Sequence, residues 1–261
     1  MRMDVQGLCV EYNRYRAVDD VSFDVGPGDV LGILGPNGSG KSTIIKSLAG
    51  VLKRSSGKVE IDGRDVDSIP LEEKAKLISY VPQSIQSQSY LTVLDTVLLG
   101  RKPHVKWKIL PSDLKIVENA MDMISVRHMA SKQMDQISGG ERQKVLIARA
   151  FAQKPRMFLF DEPTSSLDLK HQLDVLEVTG SVARDNDVCV ILAIHDLNLA
   201  YRFCNKVLLL KKGMTCAYGR SGEVLTPEVI KKVYDVDVSI LEGTSGRYIV
   251  PERLARNTVE Q

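Results

Sequence analysis

Nine residues, Gly35-Pro36-Asn37-Gly38-Ser39-Gly40-Lys41-Ser42-Thr43, lie between two stretches of different periodicity. Before them, Val30 to Leu34 is a short continuous apolar run, as in a buried strand. After them, Ile44, Ile45 and Leu48 recur at helical spacing, and Gly50 offers a helix stop. The nine residues fit the pattern GxxxxGK[ST]. Glycines let the backbone curl so that several N–H groups point inward, and the helix start adds positive potential. Such a loop holds phosphate. Lys41 then supplies a mobile positive charge for the β- and γ-phosphates of a nucleotide, and the Ser42 hydroxyl is expected to ligate Mg²⁺. A glycine-rich turn with a chance lysine would not require a strand on one side and a helix on the other. The unit points to an α/β fold.

The flanking segments divide into two kinds. At the start, Leu8, Val10 and Tyr12, then Val21, Phe23 and Val25, alternate as half-buried strands do. Gly26 to Asp29 reads as a turn. Lys58 to Ile61 and Arg64 to Val66 flank Asp62-Gly63, a strong hairpin signal. From Leu91 to about Gln153 the period is mainly helical. Thr92 and Asp95 have capping-box spacing, Val93, Leu94, Val97 and Leu98 line one face, and further helices are expected over Pro111 to Met123 and Glu141 to Ala152. Met157 to Phe160 and Val188 to Ile194 are short apolar runs, the pattern of parallel strands covered on both faces. Val207 to Leu210 follows. Thr226-Pro227-Glu228 opens a last helix through Val233, and Arg247 to Val250 reads as a final strand.

Two further clusters carry chemistry. Asp161-Glu162 ends the apolar run from Met157, where a parallel sheet opens its ligand crevice. There Asp161 would hold Mg²⁺ and Glu162 would act as general base on the attacking water. Alone, such a pair is more often a solvated turn or a helix cap; the upstream phosphate loop gives it weight. Ile137-Ser138-Gly139-Gly140-Glu141 opens a helix, with Ser138 and Glu141 at capping-box spacing. A capped helix start with two glycines also suits an anion, so cap and function need not compete.

Together these features resemble the ATPase subunit of ATP-binding cassette (ABC) transporters, over nearly the whole chain. Ile137 to Glu141 is similar to that family's signature motif, with Ile for the usual Leu and Glu for the common Gln. Asp161 to Thr164 resembles the end of its Walker B motif, and Ser165 to Asp168 its D-loop, with Ser166 where Ala is usual. Gln83 resembles the Q-loop glutamine, although Gln83, Gln86 and Gln88 would also pass for an ordinary polar loop. His195 resembles the switch histidine, although a histidine after an apolar run is otherwise usually a satisfied core or turn residue. Tyr12 resembles the aromatic that stacks on adenine; it could equally be a core residue, and Tyr15 lies close enough to compete.

The resemblance implies a P-loop NTPase core of the RecA-like kind, with an antiparallel β subdomain and a helical signature subdomain. It implies one cassette: a core lobe over about 1–90 and 154–220, a helical lobe over about 91–153, and an extension over about 221–261. The extension is either regulatory or an edge of the core. ATP and Mg²⁺ are the implied cofactors. Glu162, His195 and Gln83 are the implied catalytic set, and Ser42, Gln83 and Asp161 the metal ligands. Tyr12, Gly35 to Thr43, Ser138, Gly139, Gly140, Glu141 and Asp168 are the implied nucleotide contacts. Two copies would sandwich two ATP molecules head to tail, each bound by one copy's phosphate loop and the other's signature.

Composition narrows the function further. Lys plus Arg number 35 and Asp plus Glu 33, a formal net charge of +2, which argues against a general nucleic-acid binder. No apolar window reaches the ~18 residues of a membrane span, and Met1-Arg2-Met3-Asp4 is unlike a signal peptide. The four cysteines form no CxxC pair, so reduced, buried thiols of a cytosolic protein are expected rather than a zinc site. The resemblance then implies a position on the cytoplasmic face of the membrane. There the chain would be joined to integral-membrane permease subunits and served by an extracytoplasmic substrate-binding protein. Ser84 to Tyr90 reads as a mobile surface loop, and the permease contact is expected near Gln83 to Gly100. The basic cluster Arg101, Lys102, His104, Lys106 and Lys108 is open to three readings: a solvated run, a permease contact or a lipid-headgroup contact.

Leu91 to His104, Asp168 to Gln172, His195 to Ala200, Gly222 to Pro227 and Lys232 to Val236 resemble the importers of iron–siderophore, haem and cobalamin. Rival readings are an exporter ATPase, an importer for another cargo, a non-transport ABC ATPase and a small phosphate-loop kinase. A kinase would explain Lys41 and Asp161 but not Ser138 to Glu141 together with His195. The interval from Lys41 to Ser138 is too short for the long coiled coils of repair ATPases.

Overall fold

The computed structural model describes residues 1–13, 15–83, 90–243 and 246–252. In chain order the elements are β1 (Met3–Tyr12), β2 (Tyr15–Val25), β3 (Val30–Leu34), α1 (Lys41–Leu48), β4 (Ser56–Ile61), β5 (Arg64–Asp65), α2 (Leu71–Leu77), β6 (Ile78–Val81) and α3 (Val93–Leu98). Then come α4 (Pro111–Met123), α5 (Gly139–Gln153), β7 (Met157–Phe160), α6 (Leu169–Asp185), β8 (Cys189–Ala193), α7 (Leu197–Phe203), β9 (Lys206–Lys211) and β10 (Met214–Arg220). The tail holds α8 (Ser221–Val224), α9 (Pro227–Tyr234), β11 (Val238–Gly243) and β12 (Gly246–Pro251).

The central sheet has the order β10-β9-β3-β8-β7-β6. Its five strands from β9 to β6 are parallel, and β10 adds an antiparallel edge. Side-chain alternation explains why the parallel strands read as continuous apolar runs. In β7, Phe158 and Phe160 join one core cluster and Met157 and Leu159 the other. β8 splits the same way, Val190 and Leu192 against Cys189, Ile191 and Ala193. Both faces are therefore dry. One is covered by α1 and the antiparallel sheet β2-β1-β4-β5. The other is covered by α5, α6 and α9. Burial of apolar area on both faces, at roughly 25 cal/mol per Å², is the main stabilising term.

Expected elements are found with small shifts. The hairpin at Asp62-Gly63 forms, but β5 ends at Asp65 and Val66 opens a 3₁₀ turn instead. The capping box at Thr92 is made in both directions. The helix expected from Glu141 begins two residues earlier, because Ser138 is its N-cap. The sequence patterns do not predict the helices α2, α6, α7 and α8 or the strands β10 and β11. α6 has buried Val175, Leu176, Thr179, Gly180 and Ala183, a stripe blurred by one threonine and one glycine. Of the expected mobile loop Ser84 to Tyr90, residues 84–89 lie outside the described residues, Gln86 and Gln88 among them.

The tail packs onto the core. Ile230, Val233 and Ile249 belong to the same buried cluster as Phe158 and Phe160 of β7. Asn198 on α7 holds the final hairpin by its amide: Oδ1 accepts from the Ile249 amide at 2.7 Å and Nδ2 donates to its carbonyl at 3.2 Å. Among the described residues, no helix is long and apolar enough to cross a membrane, and the four cysteines are free thiols.

The basic cluster after Gly100 does not act as one patch. Arg101 is buried; its Nε donates to Asp113 Oδ1 and its guanidinium to the Ala152 carbonyl, both at 2.9 Å. His104 sits 2.8 Å from the Gln153 carbonyl. Lys102, Lys106 and Lys108 are exposed. Arg101 thus ties α4 to the end of α5. Removing one member of a buried ion pair strands the other. We expect R101L to lower unfolding free energy by about 3–5 kcal/mol in urea titrations, with the R101L/D113L double variant recovering most of it.

Candidate functional site

Register places the chemistry. Val81 of β6 pairs with Phe160 of β7, Phe160 with Leu192 of β8, and Ile33 of β3 with Ala193. The carboxyl ends of four parallel strands therefore lie on one edge, and each delivers a candidate residue just beyond its end. β3 leads into the phosphate loop, β6 to Gln83, β7 to Asp161 and Glu162, and β8 to His195. This is the crevice in which open α/β sheets bind ligands.

In the loop, Gly35 and Gly40 hold φ values of +147° and +102°. A Cβ on Gly35 would collide with the Leu210 carbonyl, and one on Gly40 would lie 2.8 Å from the Ala17 carbonyl. Lys41 is buried and turned back on its own loop: Nζ donates to the Gly35 carbonyl at 2.9 Å and to the Pro36 carbonyl at 3.2 Å. Burial lowers its pKa, and the charges of Glu162 and Asp161 oppose that. The hydroxyl of Ser39 is buried without a partner, so the loop has an unmet polar group. Asn37 to Thr43 line a cavity of about 290 Å³ with Tyr12, Tyr15 and Glu162. Tyr12 and Tyr15 are both exposed at its mouth, so position alone does not choose between them for an adenine ring.

Two hydrogen-bonded groups stand opposite. Ser42 Oγ donates to Asp161 Oδ1 at 2.6 Å. Asp161 is 1 % exposed, and burial raises its carboxyl pKa, partly countered by Ser42. The same burial, with Asp161 nearby, pushes the Tyr80 hydroxyl up to about 12. The second group centres on Glu162, whose φ of +52° turns its carboxylate into the crevice at a cost of about 1–2 kcal/mol. His195 Nε2 lies 2.5 Å from Oε1, and Gln83 Nε2 donates to Oε2 at 2.6 Å. Three residues far apart in sequence thus meet on one carboxylate.

A hard divalent cation suits the first group. Asp161 and Ser42 offer oxygen donors, and among the described residues the buried carboxylate has Ser42 as its side-chain partner and no salt bridge. Among the described residues there is no cluster of three His, Cys, Asp or Glu that would hold a metal alone. Phosphate oxygens and water would complete the shell, as is usual for Mg²⁺. Gln83, expected as a metal ligand, is engaged with Glu162 here.

The remaining candidates stand apart. Ser138 Oγ accepts from the Glu141 amide at 3.2 Å, and Glu141 Oε2 accepts from the Ser138 amide at 2.8 Å. Ser138 and Gly139 are exposed. A Cβ on Gly139 would meet nothing, whereas one on Gly140 would lie 3.0 Å from the Ser166 carbonyl. Asp168 caps α6, accepting from the His171 amide, and lies 2.8 Å from His171 Nδ1. Ser138, Gly140, Glu141 and Asp168 line a second cavity of about 530 Å³. It shares no residue with the phosphate-loop cavity. His128, Lys144 and His171 also line it and were missed from sequence. The one available signal was spacing: Lys144 is three residues past Glu141, and His171 three past Asp168.

Comparison with known proteins matches this geometry. Residues 18–165 match the ABC transporter family. An uncharacterized ABC transporter ATP-binding protein of Methanocaldococcus jannaschii is 41 % identical over 251 residues, 96 % of this chain and 98 % of the relative. The hemin import ATP-binding protein of Pseudomonas entomophila is 38 % identical over 243 residues, 91 % and 94 % of the two chains. Among solved structures, a chain from the inward-facing form of a transporter assigned to the metal-chelate type superposes with a TM-score of 0.82 at 30 % identity, covering 97 % and 98 %. A dimeric cassette in a post-hydrolysis state with ADP and phosphate gives 0.77 at 26 %, covering 84 % and 98 %. The chain belongs to the ABC transporter family, as one of its ATP-hydrolysing subunits, with a P-loop NTPase core.

Proposed function

We propose that this chain powers uptake of a metal chelate or corrinoid (iron–siderophore, haem or cobalamin) through a separate permease, working at the cytoplasmic face of the membrane as one two-lobed cassette. The observation that carries the motor role is the meeting of Gln83, Glu162 and His195 beside Lys41, Ser42 and Asp161 at one sheet edge. The import reading is supported by the hemin importer subunit and the metal-chelate structure it is similar to.

In the proposed reaction, Lys41 leaves the Gly35 and Pro36 carbonyls for the β- and γ-phosphates, and loop N–H groups take the remaining oxygens. Mg²⁺, held by Ser42 and Asp161, would offset charge on the phosphates. Glu162 takes a proton from water as the water oxygen bonds to the γ-phosphorus. The β–γ bond breaks, releasing ADP and phosphate. His195 Nε2 is placed to donate to the γ-phosphate, and Gln83 orients the Glu162 carboxylate. In this structure each oxygen of Glu162 has one partner, which leaves a second acceptor site on each for the attacking water.

The second cavity supplies the reason for two copies. Ser138, Gly140 and Glu141 line a cavity separate from that of their own phosphate loop, so a head-to-tail partner would present them to the γ-phosphate. ATP then sits between the copies and its hydrolysis releases them. A binding protein outside the membrane completes the proposed system. Cargo-stimulated turnover with a permease in proteoliposomes tests the import reading; ATPase stimulation only by cargo added on the cytoplasmic side would reverse the direction.

Two variants test the site. E162Q is expected to slow phosphate release at least ~10²-fold while ATP binding persists and ATP-loaded chains sediment as dimers. Near-normal turnover would remove Glu162 from the base role. For Asp161 the sign is opposite in stability and activity. Its folded pKa is raised, so the fold binds its proton more tightly, and stability from this group is lost as pH rises from the unfolded value near ~4 through the folded one. D161N should therefore melt higher than the parent at pH ~7 without nucleotide, yet lose Mg²⁺-dependent turnover at least ~10²-fold. Calorimetry and a phosphate assay read both arms.

A further inference from the structure

Between Arg101 and Asp113 the chain makes a surface loop, residues 102–112, and that buried pair closes its base. The base is held at further points. The Leu110 amide donates to Asp113 Oδ2 at 3.1 Å, and His104 Nε2 lies 2.8 Å from the Gln153 carbonyl on α5. Pro103 and Pro111 restrict φ on either side. A loop whose ends are tied together presents its tip at a set place on the surface. That tip is Lys106 to Leu110, and every residue of it is exposed. Trp107, the single tryptophan of the chain, is 97 % exposed, with no ring contact and no hydrogen bond among the described residues. Lys102, Lys106 and Lys108 are exposed too, with no ion pair among the described residues, and the loop contains no Asp or Glu. On one side it borders a groove of about 750 Å³, whose other walls are α2, the end of β6 and Arg149 of α5; the one acid in that lining is Glu72.

An indole outside the core does nothing for the fold, and a tip that sets it between two unpaired lysines, with Ile109 and Leu110 beside it, offers one combined chemistry. The matching partner is negatively charged at its surface and apolar just beneath. A protein partner would need a concave seat with a carboxylate set for each lysine. A bilayer needs no seat. Its headgroup layer yields to a convex tip, takes an indole with its N–H among polar groups, and lets lysine stems lie along apolar surface with their ammonium groups on lipid phosphates. We propose that the tip Lys106 to Leu110 contacts an anionic lipid bilayer, with Trp107 entering the headgroup layer and Lys102, Lys106 and Lys108 pairing with lipid phosphates. The inference does not rest on the motor reading, since it involves no permease and no nucleotide. Each lysine near an anionic surface raises binding about fivefold, an effect that salt screens. Such a contact orients the chain on a membrane and does not anchor it alone. The tied base carries that orientation inward, because Arg101 also donates to the Ala152 carbonyl near the end of α5.

The test uses the full chain with protein-free vesicles of phosphatidylcholine, either alone or mixed at about three parts to one of phosphatidylglycerol. Because Trp107 is the single tryptophan, its emission reports on the tip directly. Mixed vesicles should shift that emission to the blue, and lipids spin-labelled near the headgroup should quench it. Pure phosphatidylcholine should do far less, and ~0.5 M NaCl should remove most of the effect. W107A and K106Q/K108Q should each weaken co-sedimentation with mixed vesicles at least ~10-fold, with basal ATPase within about twofold of the parent, since these side chains are exposed. Emission unmoved by mixed vesicles, or equal sedimentation of W107A and the parent, overturns the proposal. A blue shift that appears without lipid and grows with protein concentration assigns the tip to a second copy and also overturns it. So does a shift that needs a co-purifying polytopic subunit and is absent with protein-free vesicles, because it assigns the tip to a protein partner.

Discussion

Parallel pairing in register is the constraint on which the molecule depends. Because β3, β8, β7 and β6 run the same way and end level, their carboxyl ends present four loops to one crevice. A parallel ladder of this kind survives only if both faces are dry, and the alternation of Phe158 and Phe160 against Met157 and Leu159 achieves that. The two cores hold the strands, and the strands hold Lys41, Gln83, Asp161, Glu162 and His195 within reach of one another.

The polar groups of the crevice are held in a self-satisfied arrangement that nucleotide would rearrange. Lys41 is turned on its own loop carbonyls, Asp161 leans on Ser42, and Glu162 is spanned by His195 and Gln83. Each of these bonds stabilises a buried or half-buried charge that would otherwise be costly. The orphaned Ser39 hydroxyl and the left-handed Glu162 are where this accommodation is incomplete. Neither feature is confined to the site: Gln143 Nε2 is also buried without a partner, and eight other non-glycine residues among those described hold positive φ.

The helical segment answers to different forces. Its anchors are the capping boxes at Thr92 and Ser138 and the buried pair of Arg101 with Asp113, and α5 runs through it from the exposed glycines to the groove. One helix therefore carries the second cavity at its start and, near its end, Arg149, which has no hydrogen bond or ion pair among the described residues.

Much of this was legible in the residues. The apolar runs at Val30, Met157 and Val188 announced a sheet covered on both sides, the nine-residue loop announced phosphate, and Ser138 with Glu141 announced a cap, because period and spacing are local properties. The helix at Leu169 escaped because polar residues interrupt its buried stripe. β10 and β11 escaped because an edge strand or a two-stranded hairpin needs little apolar patterning. The preference for Tyr12 over Tyr15 as the adenine aromatic is not tested by the fold, because both line the same cavity. What the sequence by itself determined was the kind of each local unit and the chemical class of its ligand. Only the tertiary structure decided which distant residues share a proton acceptor, that Arg101 is a buried tie while Arg149 has no hydrogen bond or ion pair among the described residues, and that Ser138, Gly140 and Glu141 line a cavity separate from that of the phosphate loop. Those outcomes depend on strand order, register and the packing of α5, which no local pattern encodes.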